Sequence, residues 1–338
     1  MKVFELGEFG LIEHLSKIVY EAQGKETVAG KQLLVGIGDD AAAWQGDSSI
    51  QLATVDSLTQ GVHFSLDVAS WEDLGWKALA ASLSDIAAMG GVPKYALVSL
   101  ALPGDIEVKN ITDLYQGMTA LGQRFGVIIV GGDTSSSPLV AINITVLGST
   151  NGRDKDTLLI RSAASPGDKV AVTGCLGAAA AGLEMLSKNL IFDPKASDFF
   201  RKAFLHPEPR VAEGQLLIEH GVKTAIDISD GLVSDLSHIL KASQVSVRIE
   251  VERVPVHPTV KANFGDKAIE MALSGGEDYE LLFTASAEVI SRVSEKVSLL
   301  VTVIGDVVTD RIGEITLTDR EGKPIRLGRT GWEHFGPR

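Results

Sequence analysis

Short apolar runs that end in glycine and aspartate recur along this chain, and they constrain its fold more than any other feature. The first run leads into Gly36-Ile37-Gly38-Asp39-Asp40, and later runs lead to Asp56, Asp133 and Asp227. Glycine lets a large group approach the backbone, and neighbouring carboxylates suit a hard cation because they supply oxygen ligands. The pattern predicts strand ends that gather carboxylates around magnesium and phosphates in one site.

Predicted strands and helices alternate along the whole chain. Strands that stop at the aspartates are predicted over residues 50–55, 127–130 and 224–228. Residues 71–89 carry an apolar stripe at helical spacing, and Gly90 followed by Pro93 predicts the end of that helix. The polar segment 149–156 is the best candidate for a linker. We therefore expect a mixed α/β protein with two domains, residues 1–150 and 151–338.

Composition excludes several classes of partner. The net charge of the 338 residues is −13 and Lys and Arg form no cluster, which argues against a nucleic-acid or anionic-membrane surface. Cys175 is the only cysteine, so no intramolecular disulfide can form. No apolar run approaches the roughly 20 residues that span a bilayer, and the N-terminus lacks the apolar core of a signal peptide. These features predict a cytoplasmic protein.

The common nucleotide-binding and hydrolase motifs are absent from the sequence. There is no GxxxxGK[ST] loop, and Gly36-Ile37-Gly38 lacks the third glycine of a dinucleotide fingerprint. Neither a GxSxG elbow nor an HExxH pair occurs. What remains is the set of aspartates near predicted strands, with Asp230 close behind Asp227 and with Asp85 on the predicted helix.

Each of these signals also has an ordinary structural interpretation. A single aspartate can be a turn residue, and Ser229 or Asp230 could cap the following helix. The acids of Ser274-Gly275-Gly276-Glu277-Asp278-Tyr279-Glu280 could be solvated charges in a turn. Arg161 could be a surface charge or a phosphate clamp, and His63 could be a partly buried histidine without a role. The aspartate set is harder to explain in this way, because gathered like charges repel without a cation.

Taken together, the motifs closely resemble the thiamine-monophosphate kinase family of the aminoimidazole-ribonucleotide synthetase superfamily. The resemblance covers nearly the whole chain. Its motifs are Gly36-Ile37-Gly38-Asp39-Asp40-Ala41, Thr54-Val55-Asp56 with His63-Phe64, Leu83-Ser84-Asp85-Ile86-Ala87-Ala88-Met89-Gly90, Gly131-Gly132-Asp133-Thr134, Arg161 ahead of Pro166-Gly167-Asp168, His206-Pro207 with Pro209-Arg210, Asp227-Ile228-Ser229-Asp230-Gly231-Leu232, Ser274-Gly275-Gly276-Glu277-Asp278-Tyr279-Glu280-Leu281, and Gly331-Trp332 with His334-Phe335. One departure is Ala163, where the family often has glycine, so the backbone there should avoid positive φ.

The resemblance implies a fold, an activity and an assembly. The fold is the two-domain fold of that superfamily, with an N-terminal domain that binds ATP and magnesium and a C-terminal domain that completes the active site. The activity is transfer of the γ-phosphoryl group of ATP to thiamine monophosphate, which gives thiamine diphosphate. The assembly is a homodimer in which the N-terminal domains share a β-barrel-like interface.

The resemblance also assigns roles to individual residues. Several Mg²⁺ ions would be held by Asp40, Thr54, the Val55 carbonyl, Asp56, Asp85, Asp133, Asp227 and Asp230. ATP would contact Gly132, Asp133, Arg161 and Ser229. Thiamine monophosphate would contact His63, Glu277 and Trp332. Asp85, Asp133 and Asp230 are the residues expected to be catalytic.

The chemistry of this reaction agrees with the residues present. A phosphate acceptor is already an anionic nucleophile, so no catalytic histidine is required, and the main demand is charge neutralisation. Two other superfamily enzymes, a selenide-water dikinase and a hydrogenase-maturation dehydratase, rely on cysteines near the N-terminus or at the C-terminus, and Cys175 is in neither place. Aminoimidazole-ribonucleotide synthetase itself, or a non-catalytic protein that binds nucleotide or metal, is the alternative that the residues leave open.

Overall fold

The computed structural model describes residues 1–22, 27–35, 37, 43–44, 46, 48–152, 155–328 and 331–332. Asp39 and Asp40 lie outside the described residues. The chain divides into two compact units. Unit 1 comprises Met1–Ile86 and Val92–Arg153, and unit 2 comprises Ala87–Gly91 and Asp154–Arg338. The mixed α/β class predicted from the sequence is confirmed, and no sequence signal indicated that Ala87–Gly91 belongs with unit 2.

Unit 1 is built around a four-stranded sheet with the strand order β3-β6-β4-β5. The β4/β5 pair is parallel, and β6 runs antiparallel to both β3 and β4. Its elements are α1 (Val3–Ala22), α2 (Val28–Gln32), β1 (Leu33–Val35), β2 (Ala43–Trp44), β3 (Gln51–Thr59), α3 (Trp71–Ala88, whose last two residues belong to unit 2), β4 (Val92–Leu102), α4 (Val108–Phe125), β5 (Ile128–Ser136) and β6 (Ala141–Ser149).

Helix α3 packs against one face of this sheet, and α4 packs against α3. Ser82 of α3 donates its hydroxyl to the Ile144 carbonyl of β6 at 3.2 Å. The two helices touch through glycine, since a Cβ atom at residue 75 would lie 1.9 Å from the Leu114 carbonyl oxygen. The other face, called the open face here, carries residues such as Val55, whose exposed fraction is 62%. Alternating burial along β3 and β6 therefore matches a sheet that is covered on one side.

Two of the predicted strand ends are wrong. Strand β3 continues through Asp56 to Thr59, and β5 continues through Asp133 to Ser136. Glycine and aspartate are turn residues by local preference, but ladder hydrogen bonds with β6 and β4 keep these segments extended. Asp227, by contrast, is the last residue of its strand, as predicted.

Unit 2 contains a six-stranded sheet with the order β12-β9-β11-β7-β10-β8, antiparallel except for the β12/β9 pair. Its strands are β7 (Lys169–Thr173), β8 (Thr224–Asp227), β9 (Ser246–Glu250), β10 (Leu281–Ala285), β11 (Val301–Val308) and β12 (Ile315–Thr318). Its α-helices are α5 (Ala178–Ser187), α6 (Pro194–Leu205), α7 (Val211–Glu219), α8 (Leu232–Ser243), α9 (Pro258–Phe264), α10 (Lys267–Ser274) and α11 (Ala287–Lys296). Short 3-10 turns occur at Lys155–Thr157 and Val251–Arg253.

Two apolar layers bury the faces of the unit 2 sheet. One layer includes Val172 and Leu282 with Leu236 of α8, and the other includes Ala171 and Phe283. Consecutive residues of β7 therefore point to opposite layers, which requires a strand that is apolar throughout. Across the described part of the chain, no helix combines the length and the apolar character needed to cross a membrane.

Candidate functional site

In unit 1, two of the predicted carboxylates lie between β3 and α3. Thr54 donates its hydroxyl to Asp85, and Ser82 donates its hydroxyl to Asp56 at 2.8 Å. Burial and the nearby charge of Asp85 raise the pKa of Asp56 to about 6, and the Ser82 hydrogen bond opposes this shift. A bound cation would stabilise the negative charges of Asp56 and Asp85, which are held close together in a partly buried place.

Asp133 lies on a different face of the same sheet. It is in register with Ser99 of β4, whereas Asp56 is in register with the buried Ile144 of β6. Because partners in register share a face, Asp133 points to the open face, where it is exposed. The structure therefore brings Asp56 and Asp85 together but separates Asp133 from them.

Gly132 and His63 occupy tightly defined positions in unit 1. A Cβ atom at residue 132 would lie 1.8 Å from the Val98 carbonyl oxygen, so only glycine fits beside β4. His63 lies in the turn after β3, where its Nδ1 accepts the Thr59 N–H at 3.0 Å. That bond leaves the other ring nitrogen to carry the proton in the neutral tautomer. Val55 directs its side chain to the open face, and the role predicted for it concerns only its carbonyl.

In unit 2, two motifs that are distant in sequence lie side by side. Strands β8 and β10 pair with Asp227 opposite Leu281. The pairing continues past the strand ends, where Tyr279 N–H donates to the Ile228 carbonyl at 2.9 Å and Glu277 N–H donates to the Ser229 carbonyl at 2.8 Å. The aspartate loop (residues 228–231) and the glutamate loop (residues 276–280) therefore form one unit beyond the end of β8.

The carboxylate of Asp235 holds the aspartate loop from within α8. It accepts the N–H groups of Ser229, Asp230 and Gly231 at 3.0, 3.1 and 3.1 Å. Burial and the charges of Asp227 and Asp230 raise the pKa of Asp235 to about 8, and the backbone hydrogen bonds act against this rise. The prediction that Ser229 or Asp230 caps α8 is wrong, because Gly231 is the N-cap residue and makes no side-chain cap. Local sequence favours a cap, but the three N–H groups are satisfied by Asp235 instead.

Two acids of the glutamate loop are anchored in the protein. Asp278 accepts the Gly177 and Ala179 N–H groups at 2.7 and 3.1 Å, at the start of α5. Burial raises the pKa of Asp278 to about 7, and these two bonds oppose the rise. Glu280 forms an ion pair with Arg210. The interpretation of these two acids as solvated charges in a turn is therefore wrong.

The backbone of the glutamate loop is strained at two residues. Glu277 and Tyr279 have φ values of 69° and 50°, in the left-handed region that side chains with a Cβ avoid. Such conformations cost roughly 1–3 kcal/mol each and persist where the surroundings enforce them, often at functional sites. The strain falls on the residue, Glu277, that the sequence predicts to contact substrate.

Trp332 is brought to the aspartate loop by its backbone. Its N–H donates to the Asp230 carbonyl at 3.0 Å, and its exposed fraction is 43%. A Cβ atom at residue 331 would lie 2.6 Å from Cβ of Ser234, so Gly331 is needed for this approach. The C-terminal motif thus adds a partly exposed aromatic residue beside Asp230.

Arg161 is exposed and lies near α8. Its carbonyl accepts the Ser243 hydroxyl at 2.7 Å. Burial lowers the pKa of His238, and the charge of Arg161 acts in the same direction. Asp230 acts on the same histidine in the opposite direction. Ala163 has no positive φ, as predicted for a residue with a Cβ.

Sequence reasoning missed the residues that hold the two loops in place. Asp235 and Arg210 received no role, although Arg210 belongs to a recognised motif. Asp235 lies among apolar residues of helix α8, and Arg210 lies at the start of α7. A charge that is buried in this way requires partners, and that is the signal by which the sequence could have indicated them.

The donor set suits Mg²⁺ bound together with phosphates. Among the residues that the structure describes, no group of three or more His, Cys, Asp or Glu side chains is placed to hold a metal ion by itself. Mg²⁺ is usually bound by one or two carboxylates plus phosphate oxygens and water. The Asp56/Asp85 pair, and Asp227 with Asp230, fit that pattern.

Comparisons with known proteins agree with this arrangement of motifs. The chain matches the N-terminal domain model of AIR synthase related proteins over residues 38–150 and the C-terminal domain model over residues 165–318. It is 36% identical to the thiamine-monophosphate kinase of Bacillus subtilis over 98% of this chain and 100% of the relative.

Solved structures are similar over nearly the whole chain. The thiamine-monophosphate kinase of Stenotrophomonas maltophilia is 32% identical with a TM-score of 0.80, covering 93% of this chain and 96% of the other. A structure described as AaThiL complexed with AMPPCP and TMP is 33% identical with a TM-score of 0.76, covering 99% of both chains.

Proposed function

The chain belongs to the AIR synthase related family and, within it, to the thiamine-monophosphate kinases, and on that premise we propose that it phosphorylates thiamine monophosphate with ATP to form thiamine diphosphate. The observation that carries the proposal is the pairing of the aspartate and glutamate loops. It joins Ser229 and Asp230, assigned to ATP and magnesium, with Glu277, assigned to thiamine monophosphate, and a separate hydrogen bond from the Trp332 N–H to the Asp230 carbonyl adds the third residue of that substrate site. AMPPCP and TMP in the similar AaThiL complex support the same pair of substrates.

The reaction proposed is a direct in-line transfer. A phosphate oxygen of thiamine monophosphate attacks the γ-phosphorus of ATP, the new P–O bond forms, and the bond to the β-phosphate oxygen breaks to release ADP. The acceptor oxygen is already anionic, so no general base is required. What the protein must do is hold two anions in line, and Arg161, Gly132 and Ser229 are proposed to bind the nucleotide for this purpose.

Magnesium is proposed to be bound by oxygen ligands from several motifs. The proposed ligands are Asp40, Thr54, the Val55 carbonyl, Asp56, Asp85, Asp133, Asp227 and Asp230. When bound, magnesium neutralises phosphate charge during transfer. Asp85, Asp133 and Asp230 are proposed as the catalytic members of this set.

Thiamine monophosphate is proposed to be recognised by one acid, one aromatic residue and one histidine. Its thiazolium ring is cationic, so the accessible face of Trp332 offers a cation–π contact worth ~0.5–2 kcal/mol. The carboxylate of Glu277 complements the same positive charge, and His63 offers a hydrogen bond.

A homodimer is proposed through the open face of the unit 1 sheet. Val55 is 62% exposed on that face, and Leu139, two residues before β6 begins, is 50% exposed. Apolar residues on an uncovered sheet face favour burial against a second copy. Light scattering on the purified protein tests this proposal, and a monomeric mass at micromolar concentration would contradict it.

The cytoplasm is the proposed location of the protein.

The activity is tested by incubating the purified protein with ATP, Mg²⁺ and thiamine monophosphate. We expect thiamine diphosphate and ADP in equal amounts, loss of product when EDTA removes the metal, and recovery on adding Mg²⁺ back. ATP binding without any thiamine diphosphate would refute the kinase proposal and favour a non-catalytic nucleotide-binding protein.

A further inference from the structure

A buried ion pair lies at the end of the glutamate loop, where β10 begins. Arg210 donates from Nε to Oε2 of Glu280 at 2.8 Å and from Nη2 to Oε1 at 2.5 Å. The exposed fractions of the two side chains are 19% and 5%. Two parallel N–H bonds from a planar guanidinium fix both the position and the orientation of the carboxylate.

Two further contacts hold the Glu280 carboxylate in place. Thr173 donates its hydroxyl to Oε2 at 2.6 Å and accepts the Leu281 N–H at 2.9 Å. A Cβ atom at residue 174 would lie 2.1 Å from Oε1, so glycine at this position makes room for the carboxylate. Glu280 is therefore held by β7 and by the start of α7 at the same time.

Fixing Glu280 constrains Glu277, three residues earlier. The intervening backbone includes the left-handed residue Tyr279, and Glu277 itself is left-handed. A strained segment keeps such a conformation only while its ends are held. Asp278 holds the middle of the loop at α5, and Glu280 holds its C-terminal end.

We propose that Arg210 is a positioning residue which, through Glu280, sets the place of Glu277 for thiamine monophosphate. This inference rests on the proposed function, because Glu277 has its substrate role there. A buried ion pair is often no more stabilising than apolar side chains of similar volume, so stability alone does not account for the pair. The aspartate loop has its own support in Asp235, so ATP binding should depend much less on Arg210.

The test compares the single variants R210M and E280L with the double variant R210M/E280L. Each single variant leaves one buried charge without its partner and should lower the melting temperature, whereas the double variant should recover most of that loss. We expect the double variant to keep a KM for thiamine monophosphate raised about tenfold, with the KM for ATP changed less than twofold. A purely structural pair would instead recover both melting temperature and KM.

A matched control removes another ion pair of the unit 2 sheet, between Lys169 of β7 and Asp306 of β11. Lys169 is the first residue of β7, whereas Thr173, which touches Glu280, is the last, so K169M/D306L should leave both KM values unchanged. R210K is a second variant that keeps the positive charge but loses the planar fork, and we expect it to raise the KM for thiamine monophosphate as well.

Two results would overturn the inference. One is a wild-type KM for thiamine monophosphate in both R210M/E280L and R210K, and the other is an equal rise in the KM for ATP. The unmodified protein is assayed in parallel: if it makes no thiamine diphosphate, the proposed function and this inference both fail, whereas an active wild type with unaffected variants overturns the inference alone.

Discussion

Replacing Gly276 by alanine would force the aspartate and glutamate loops apart. A Cβ atom at residue 276 would lie 2.4 Å from the Ser229 carbonyl oxygen, and ordinary contacts begin at 3.4 Å. The obstacle is backbone that also accepts the Glu277 N–H, so no flexible side chain can move away. The loops must therefore separate by about 1 Å, or the hydrogen bond between them must break.

The separation has an expected size in both stability and activity. Overpacking of this kind costs about 1–3 kcal/mol of unfolding free energy. A displacement of about 1 Å between groups that are proposed to bind the two substrates can lower kcat/KM about 10²-fold. G276A should therefore remain folded in urea titrations yet form thiamine diphosphate about two orders of magnitude more slowly.

G328A is the matched control for G276A. Residue 328 also lies in unit 2, a Cβ atom there would meet nothing within 4 Å, and its φ is not positive. We expect wild-type kcat/KM for this variant. A folded G276A protein with kcat/KM close to wild type would refute the claim that contact between the loops sets the geometry of the reaction.

Three further perturbations separate the roles of other residues. D133N should lower turnover by about 10²-fold or more without changing the urea midpoint, because the side chain is exposed and its proposed partners are ligands. The control S135A changes another exposed residue of β5 and should leave turnover unchanged. Normal turnover in D133N would show that Asp133 is not part of the site. W332A should raise the KM for thiamine monophosphate about 2- to 30-fold, and W332F should raise it less because phenylalanine keeps an aromatic face. Equal KM values for W332A and wild type would contradict the cation–π contact. The pKa of Asp278 is raised from 3.8 to about 7, so between these pH values the folded protein holds a proton that the unfolded chain releases. The contribution of Asp278 to the unfolding free energy therefore falls as the pH rises from 3.8 to about 7. The unfolding free energy of wild type relative to D278N should therefore decrease between pH 4.5 and 7, at a slope of up to about 1.4 kcal/mol per pH unit, and a difference independent of pH would contradict the raised pKa.

Features encoded by neighbouring residues were predicted from the sequence with good accuracy. The helix expected over residues 71–89 is α3 at Trp71–Ala88, and it ends where Gly90 adopts a φ of 69°. Helical periodicity and a left-handed glycine act within a few residues, so the sequence alone reveals them. Helix α6 was missed although its signal is equally local, since Asp193 caps it and Pro194 opens it.

Features that depend on strand pairing were not predictable in the same way. Gly131, Gly132 and Asp133 are turn residues by preference, and only the hydrogen bonds with β4 extend β5 past them. The face on which Asp133 lies follows from register with Ser99, and register depends on a distant strand.

The sequence by itself determined which residue types are available for the chemistry and the family to which they belong. Without any coordinates, the carboxylates, Trp332 and the motifs at residues 227–232 and 274–281 resemble those of a phosphate-transfer family. Only the tertiary structure decided that the aspartate and glutamate loops continue one ladder, and that Asp235 and the Arg210–Glu280 pair hold them. The physical reason is distance along the chain: these contacts join residues that are brought together by folding, whereas composition and periodicity report only local preference.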